Sequence, residues 1–237
     1  MKLSEIFDQL RYGELNQLFL GTSSDEGIEP ENYPELITHI NLALTALHTR
    51  FPLLEQELAV RQYDHISFYK LVSANSVTLP EAERAAFPYI MDTADNPFKD
   101  NILAVERVYD ELGDEYALND NSVDNAVYTP AYNTIQVVYP VHTNTMFVIY
   151  RGNHDMIPSD ITDPKVVEVS LPPVLVPALL AYVASRVHSS RASAEATQTG
   201  IVYLQKYEKI CSEVEEKNSL NTASQSTNTK LRKLGWV

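Results

Sequence analysis

The sequence predicts an α+β fold, with a helical bundle built from both ends of the chain and a small β-rich lobe inserted between them. Apolar residues recur at helical spacing in the first and last thirds, whereas the middle third carries short alternating runs rich in β-branched and aromatic residues. We therefore predict a helical bundle over 1–58 and 170–217, an inserted β-rich lobe over 59–169, and an extended C-terminal tail over 218–237.

The strongest helical signal lies between Asn32 and Leu58. Asn32 can cap the first turn, and Pro34 is suited to that turn because its missing N–H is not needed there. Seven apolar residues then recur every three or four positions: Leu36, Ile40, Leu44, Leu47, Phe51, Leu54 and Leu58. Pro52 lies within this pattern, so we expect a kink or a break near Arg50.

Three shorter helices are also predicted, one near the start of the chain and two near its end. The first covers Ser4–Leu20 and is interrupted by Gly13, which can end a first helix there; the second begins at Leu171, and the last runs from about Ser193 to Lys217. In the last helix the apolar period passes through Thr197, Ile201, Leu204, Tyr207 or Glu208, Cys211 and Val214, and we expect this face to be buried.

The middle of the chain has strand signals and turn residues. Alternation around Ile66 and Phe68 predicts a strand, and 101–118 predicts two strands joined near Gly113. Residues 119–133 are rich in Asn and Asp and are predicted to form a loop. The runs 134–139 and 145–150 flank the turn PVHTN, so we expect them to pair as a hairpin.

The composition excludes several classes of function. The net charge is −14, and a protein this acidic does not wrap DNA, because binding to phosphates depends on Lys and Arg. Cys211 is the only cysteine, which excludes a disulfide framework and favours a small core residue in a reducing compartment. We expect no secretory leader, because MKLSEIFDQL has acidic residues, and no membrane span.

The end of the tail is the best interaction motif in the sequence. Residues 218–237 contain three basic residues and no acidic one, so the rest of the chain is more acidic than the whole. Trp and Arg are favoured at the centres of protein interfaces, and a polar Ser/Thr/Asn spacer leads to the tip. We predict that the tip anchors the protein to a partner through Lys230, Leu231, Arg232, Lys233, Leu234, Trp236 and Val237.

The only motif that indicates catalysis is Gly152-Asn153-His154-Asp155, which follows the strand-like run MFVIY. Such a turn occurs in two-metal phosphoesterases, where further carboxylates and imidazoles complete the centre. Those partners are missing from the sequence, so we favour a polar turn. His39 and His48 are nine residues apart and do not share a helix face; we expect His48 to be partly buried and hydrogen-bonded. We predict no enzyme, no metal and no cofactor.

A set of short motifs in both helical regions resembles one known family. The motifs are Tyr12-Gly13-Glu14-Leu15 with Leu18, Ile40-Asn41 with Leu44, Leu47-His48-Thr49-Arg50-Phe51, Leu171-Pro172-Pro173, Ala178-Leu179, Tyr182-Val183-Ala184-Ser185-Arg186, Tyr203, and Tyr207-Glu208. In their order and spacing they are similar to the head-to-tail adaptor (connector or tail-tubular) proteins of short-tailed bacteriophages. The resemblance covers both helical thirds of the chain, and the β-rich lobe has no distinctive motif.

This resemblance implies a structural virion protein, assembled in the host cytoplasm, at the junction of head and tail. It implies a ring, commonly of twelve copies, that docks beneath the portal protein through its C-terminal segment and accepts the tail nozzle or tube on its other face. DNA would pass through the acidic lumen without specific binding. Two alternatives remain: a metal-dependent phosphoesterase centred on Asn153, His154 and Asp155, and another tail-tube or tail-fibre connector.

Overall fold

A computed structural model describes residues 1–16, 18, 28–191 and 193–220 of the chain. Over these residues the fold is α+β, as predicted, with four α-helices and two three-stranded antiparallel sheets. The residues form two compact units. The first combines Met1–Ala43 with the chain from Ile157 onward, and the second is the continuous stretch Leu44–Met156.

The first unit begins with helix α1, Leu3–Tyr12, which buries Leu3, Ile6, Phe7 and Leu10. The Glu5 side chain accepts a hydrogen bond from the backbone N–H of Lys2 at 3.0 Å, which satisfies one of the donors left open at a helix start. A 3₁₀ turn, Pro30–Asn32, leads into helix α2, Tyr33–Arg50. Within the first unit α2 buries Leu36, Ile37, Ile40 and Ala43.

The same unit ends with helices α3, Val176–Ser189, and α4, Ala194–Glu216. A 3₁₀ turn, Pro173–Leu175, precedes α3, and Pro177 lies in its first turn, where no helical N–H is lost. Ser193 caps α4 by accepting a hydrogen bond from the N–H of Ala196 at 3.1 Å. α3 packs against α4 and also contacts α1.

The second unit contains six strands in two sheets. In the first sheet, β1 (Glu55–Arg61) and β3 (Ile102–Tyr109) flank the central strand β6 (Thr145–Gly152). In the second sheet, β2 (Phe68–Lys70) and β4 (Val127–Ala131) flank β5 (Thr134–Val137). All pairs are antiparallel.

The core of the second unit collects the inward-facing residues of both sheets. β6 shows the period of two that a half-buried strand requires, with Met146, Val148, Tyr150 and Gly152 buried. The other strands add residues such as Leu58, Val60, Tyr69, Val108, Val127 and Ile135, and the long connections add Tyr89, Ile90 and Phe98.

The expected break near Arg50 is confirmed, since α2 ends at that residue, two positions before Pro52. The extension of the apolar stripe to Leu58 is wrong: Leu54 lies after the helix and Leu58 lies in β1. α1 ends at Tyr12, so the predicted interruption at Gly13 is confirmed, and α1 fills only the first part of the predicted range Ser4–Leu20. The region 101–118 contains one strand, β3, rather than two.

The predicted hairpin between 134–139 and 145–150 is also wrong. β5 and β6 belong to different sheets, and β5 instead forms a hairpin with β4, in which Ala131 pairs with Thr134. β4 lies inside the segment that we predicted as a loop. The strand was not predicted because its short run VYTPA buries only Val127 and so shows no clear alternation of apolar and polar residues.

Candidate functional site

The Gly152–Asp155 motif begins at the last residue of β6 and continues as an irregular segment, held by backbone hydrogen bonds. Gly152 donates to the carbonyl of Leu54 at 2.8 Å, and Asn153 donates to the carbonyl of Asn101 at 2.7 Å. A Cβ at Gly152 would approach Asn101 Nδ2, Gln56 Oε1 and a Leu54 methyl at 3.1 Å each, so the glycine permits this close packing.

Two histidine rings, those of His48 and His154, lie next to each other at this segment. The His48 ring, on α2, lies with Nδ1 3.2 Å from the carbonyl oxygen of Gly152. His154 lies with Nδ1 2.8 Å from the carbonyl oxygen of Asp155 and Nε2 3.4 Å from Thr45 Oγ1. Because a carbonyl only accepts, both rings carry their proton on Nδ1 when neutral. Their centroids are 5.7 Å apart.

His48 is held as a neutral ring. It is only 4% exposed, and burial lowers its pKa; the hydrogen bond to Gly152 opposes this shift, while the neighbouring His154 adds to it. The expectation of a buried, hydrogen-bonded His48 is confirmed. Its Nε2 has no hydrogen-bond partner among the described residues.

The remaining polar groups of the motif make structural contacts. Asn153 donates from Nδ2 to Thr45 Oγ1 at 3.2 Å and accepts from the N–H of His154 at 2.9 Å. Asp155 forms an exposed ion pair with Lys99, with Nζ–O distances of 2.9 and 3.0 Å. Within the described ranges no three His, Cys, Asp or Glu side chains are placed to hold a metal ion. These contacts fix the segment that follows β6, and its carboxylate is paired with a lysine.

A second cluster joins α4 to the end of α1. Tyr203 donates its hydroxyl to the carbonyl of Glu14 at 3.2 Å, and Lys206 forms an ion pair with the Glu14 carboxylate at 2.9 Å. The ring of His188, on α3, stacks on Tyr203 with 17° between the ring planes. Burial raises the pKa of the Tyr203 hydroxyl, so it remains a donor at neutral pH.

The buried face of α4 differs from the predicted one. Gly200, Tyr207, Cys211 and Val214 are buried, which confirms Cys211 as a core residue. Ile201 and Leu204 were expected in the same stripe but are each 45% exposed, and Val202 is 54% exposed. The face is rotated because Gly200 lies against α3: a Cβ there would come within 3.0 Å of the Ser185 carbonyl oxygen.

The predicted partner-binding residues of the tail tip, Lys230–Val237, lie outside the described residues. The apolar surface of α4 is therefore the candidate contact surface that sequence reasoning missed, and we call Ile201, Val202 and Leu204 the α4 patch. Its signal was present in the sequence, since α4 contains more apolar residues than one buried face can hold.

No protein-family model and no curated protein matches this chain. Over the part of the chain that the structure describes, no helix is both long and apolar enough to cross a membrane.

Proposed function

We propose that this protein is a head-to-tail adaptor of a short-tailed bacteriophage, a structural protein that forms a ring between the portal and the tail and lets DNA pass. One observation supports the proposal above the others. Glu14 belongs to the Tyr12–Leu15 motif and Tyr203 to the last helix, and these two parts of the resemblance meet in one hydrogen bond 189 residues apart in sequence. These two motifs thus belong to the same folded unit.

The finer architecture of the proposal is a helical bundle in which α1, α2, α3 and α4 share one interior. The contacts of α3 with α4 and α1 support it, as do the buried apolar residues on each helix. In the proposed ring this bundle is the frame of the protomer, and the second unit corresponds to the β-rich lobe.

The α4 patch is suited to contact between neighbouring copies. Ile201 and Leu204 lie three positions apart on one side of α4, and the exposed Val202 lies further round the helix beside Ile201, so a subunit interface on this side would cover apolar surface. A ring is closed by a repeated contact between two different surfaces of each copy, so one such patch per protomer is sufficient. We propose that the α4 patch is one half of this repeated contact, in a ring of about twelve copies implied by the resemblance.

The tail tip, Lys230–Val237, is the proposed contact with the portal, and the opposite face of the ring receives the tail nozzle or tube. Many tails on one ring act together, so each can be weak while the assembly is tight. The whole chain has a net charge of −14, and its body without the basic tail is more acidic still, so it repels phosphates and keeps the lumen from binding the DNA that passes. The assembled protein would belong to the virion.

The decisive experiment is electron microscopy of the protein mixed with the portal protein of the same phage. We expect a ring of the protein stacked beneath the portal ring. A chain shortened before residue 219 should remain folded but lose the portal, whereas Leu204→Glu should disrupt the ring. Leu112→Glu, at an 84% exposed site in the second unit, is the matched control. A monodisperse monomer that does not bind the portal protein would refute the adaptor role.

A further inference from the structure

A cleft of about 420 Å³ runs beside the outer edge of β1 in the second unit. Its floor contains the buried side chains of Leu58, Phe98 and Tyr150. Its rim carries polar groups, among them Glu57 and Asp92. The volume falls within the range of protein ligand sites, and the mixture of an apolar floor with polar edges is typical of them.

The wall of this cleft is an unpaired strand edge. At the two ends of β1, the carbonyl of Leu54 accepts from the N–H of Gly152, and the N–H of Gln62 donates to the carbonyl of Asn144. The backbone groups of even-numbered residues therefore point towards β6. Odd-numbered positions face the opposite way, and the N–H and carbonyl of Glu57 therefore point into the cleft. No backbone group of the described residues pairs with them.

The chain itself already covers one end of this edge. Arg61 donates to the carbonyl of Tyr89 at 2.8 Å, and Met91 donates to the carbonyl of Ala59 at 2.8 Å. The last bond of this short antiparallel contact joins Met91 to Ala59. The edge from Glu55 to Leu58, about 10 Å long, is left open in continuation of it.

The charge of the cleft selects the kind of segment that can fill this edge. The Asp92 carboxylate accepts hydrogen bonds from Ser76, Thr78 and the N–H of Phe98. Burial would raise its pKa, but these bonds outweigh burial and lower the pKa, so Asp92 is ionised at neutral pH. Glu57 adds a second negative charge, and Lys99, the cation on the rim, is paired with Asp155.

We propose that the cleft binds an extended basic peptide segment of a partner protein, which adds to the first sheet as a strand along β1. The backbone of the segment pairs with Glu57, one set of its alternating side chains packs on Leu58 and Phe98, and its basic side chains meet Glu57 and Asp92. Strand addition to an open edge is an established mode of peptide recognition. The site is separate from the α4 patch and does not depend on the adaptor role.

The test uses the purified full-length protein and a fluorescein-labelled, capped heptapeptide of alternating valine and lysine. Fluorescence anisotropy should show saturable binding with a Kd below about 1 mM. Glu57→Pro removes the edge N–H without touching the ladder to β6, and should weaken binding at least tenfold. Glu57→Lys should also weaken it, whereas Glu81→Lys, an exposed acidic site in the same unit, should not.

A second probe separates loss of the edge from damage to the protein. The same heptapeptide methylated on its central backbone nitrogen cannot donate to the Glu57 carbonyl, so it should bind at least tenfold more weakly to the unchanged protein. A valine–glutamate heptapeptide should not bind. The proposal is overturned by equal binding of the methylated peptide, by Glu57→Lys binding like the wild-type protein, or by no binding at 1 mM.

Discussion

The two units of this protein are stabilised in different ways. The first unit depends on apolar helix faces: α3 alone buries ten residues, nearly all of them aliphatic. The second unit has, besides its apolar core, buried tyrosines whose hydroxyl groups each make more than one hydrogen bond. Tyr69 bonds through its hydroxyl to both backbone groups of Tyr63, and the Tyr89 hydroxyl binds the Lys70 carbonyl at 2.9 Å and Asn75 at 2.7 Å.

This difference follows from how each unit satisfies its backbone. Helices satisfy their own N–H and carbonyl groups, so the side chains of the first unit are available for packing. The sheets of the second unit are small, and much of its chain lies in long connections whose backbone groups need side-chain partners. We therefore expect the first unit to be most sensitive to lost volume and the second to lost hydrogen bonds.

The largest effect is expected from a cavity in the first unit. Leu179, on α3, is fully buried, and Leu179→Ala should lower the free energy of unfolding by about 3 kcal/mol, since it removes buried methyl groups that neighbours cannot replace. Leu204→Ala, at an exposed site on α4, is the control and should cost less than about 0.5 kcal/mol in the monomer. Amide hydrogen exchange, resolved by peptide, should show the loss of protection in α3 and α4.

The matching experiment in the second unit removes a carboxylate that accepts several hydrogen bonds, instead of buried apolar volume. Asp92→Ala deprives Ser76, Thr78 and the N–H of Phe98 of their acceptor, and it should destabilise the second unit by about 2 kcal/mol. Asp92→Asn keeps the shape and part of the acceptor capacity, so it should cost less. Loss of exchange protection should be confined to the second unit; equal loss in α3 and α4 would contradict the proposed division.

The Asp92 carboxylate also makes the stability of the second unit depend on pH. Its folded-state pKa is lower than the ordinary value of 3.8, so its contribution is present at neutral pH and is lost as the pH falls through the folded-state pKa. Acid unfolding of the wild-type second unit should therefore be steeper than that of Asp92→Asn, as followed by the same exchange experiment near pH 4.

The helices of the first unit were largely predictable because their signals are local. α4 was expected from about Ser193 to Lys217 and spans Ala194–Glu216, and the break after Arg50 follows from Pro52. The orientation of α4 was not predictable from periodicity, which treats Gly200 as a weak helix residue. In the structure Gly200 allows the close approach of α3, and this contact turns Ile201 and Leu204 towards solvent.

The strands of the second unit were less predictable because their pairing is not local. β6 pairs with β1, about ninety residues earlier, rather than with the neighbouring β5. Adjacent strands with a turn between them resemble a hairpin, and nothing in the two runs indicates that a better partner lies far away. The motif Gly152–Asp155 was expected to be a polar turn and is an irregular polar segment instead, and the hydrogen bond between His48 and Gly152 depends on that same distant pairing.

A smaller effect is expected at the contact of α3 with α4. Gly200→Ala improves helix propensity by about 1 kcal/mol, but the added Cβ would lie 3.0 Å from the Ser185 carbonyl oxygen and still closer to Ser189. We expect the clash to prevail and the first unit to lose about 1 kcal/mol. Gln198→Ala, at an exposed position of the same helix, is the control and should be neutral or slightly stabilising. A stabilised Gly200→Ala variant would show that the two helices can separate without cost.

The smallest expected effect is the pH dependence of stability that one buried histidine gives to each unit. Burial lowers the pKa of His48 in the second unit and of His39 in the first, where Glu35 opposes the shift and Arg186 adds to it. Each unfolded histidine takes up its proton near pH 6.5 before the folded one does, so both units should lose stability as the pH falls below that value. His48→Gln should flatten this dependence in the second unit alone, and His39→Gln in the first alone. Amide hydrogen-exchange protection factors, corrected for the pH dependence of intrinsic exchange, measure the stability of each unit in the two variants. If either substitution flattened both units equally, the histidines would be reporting one cooperative structure instead of two.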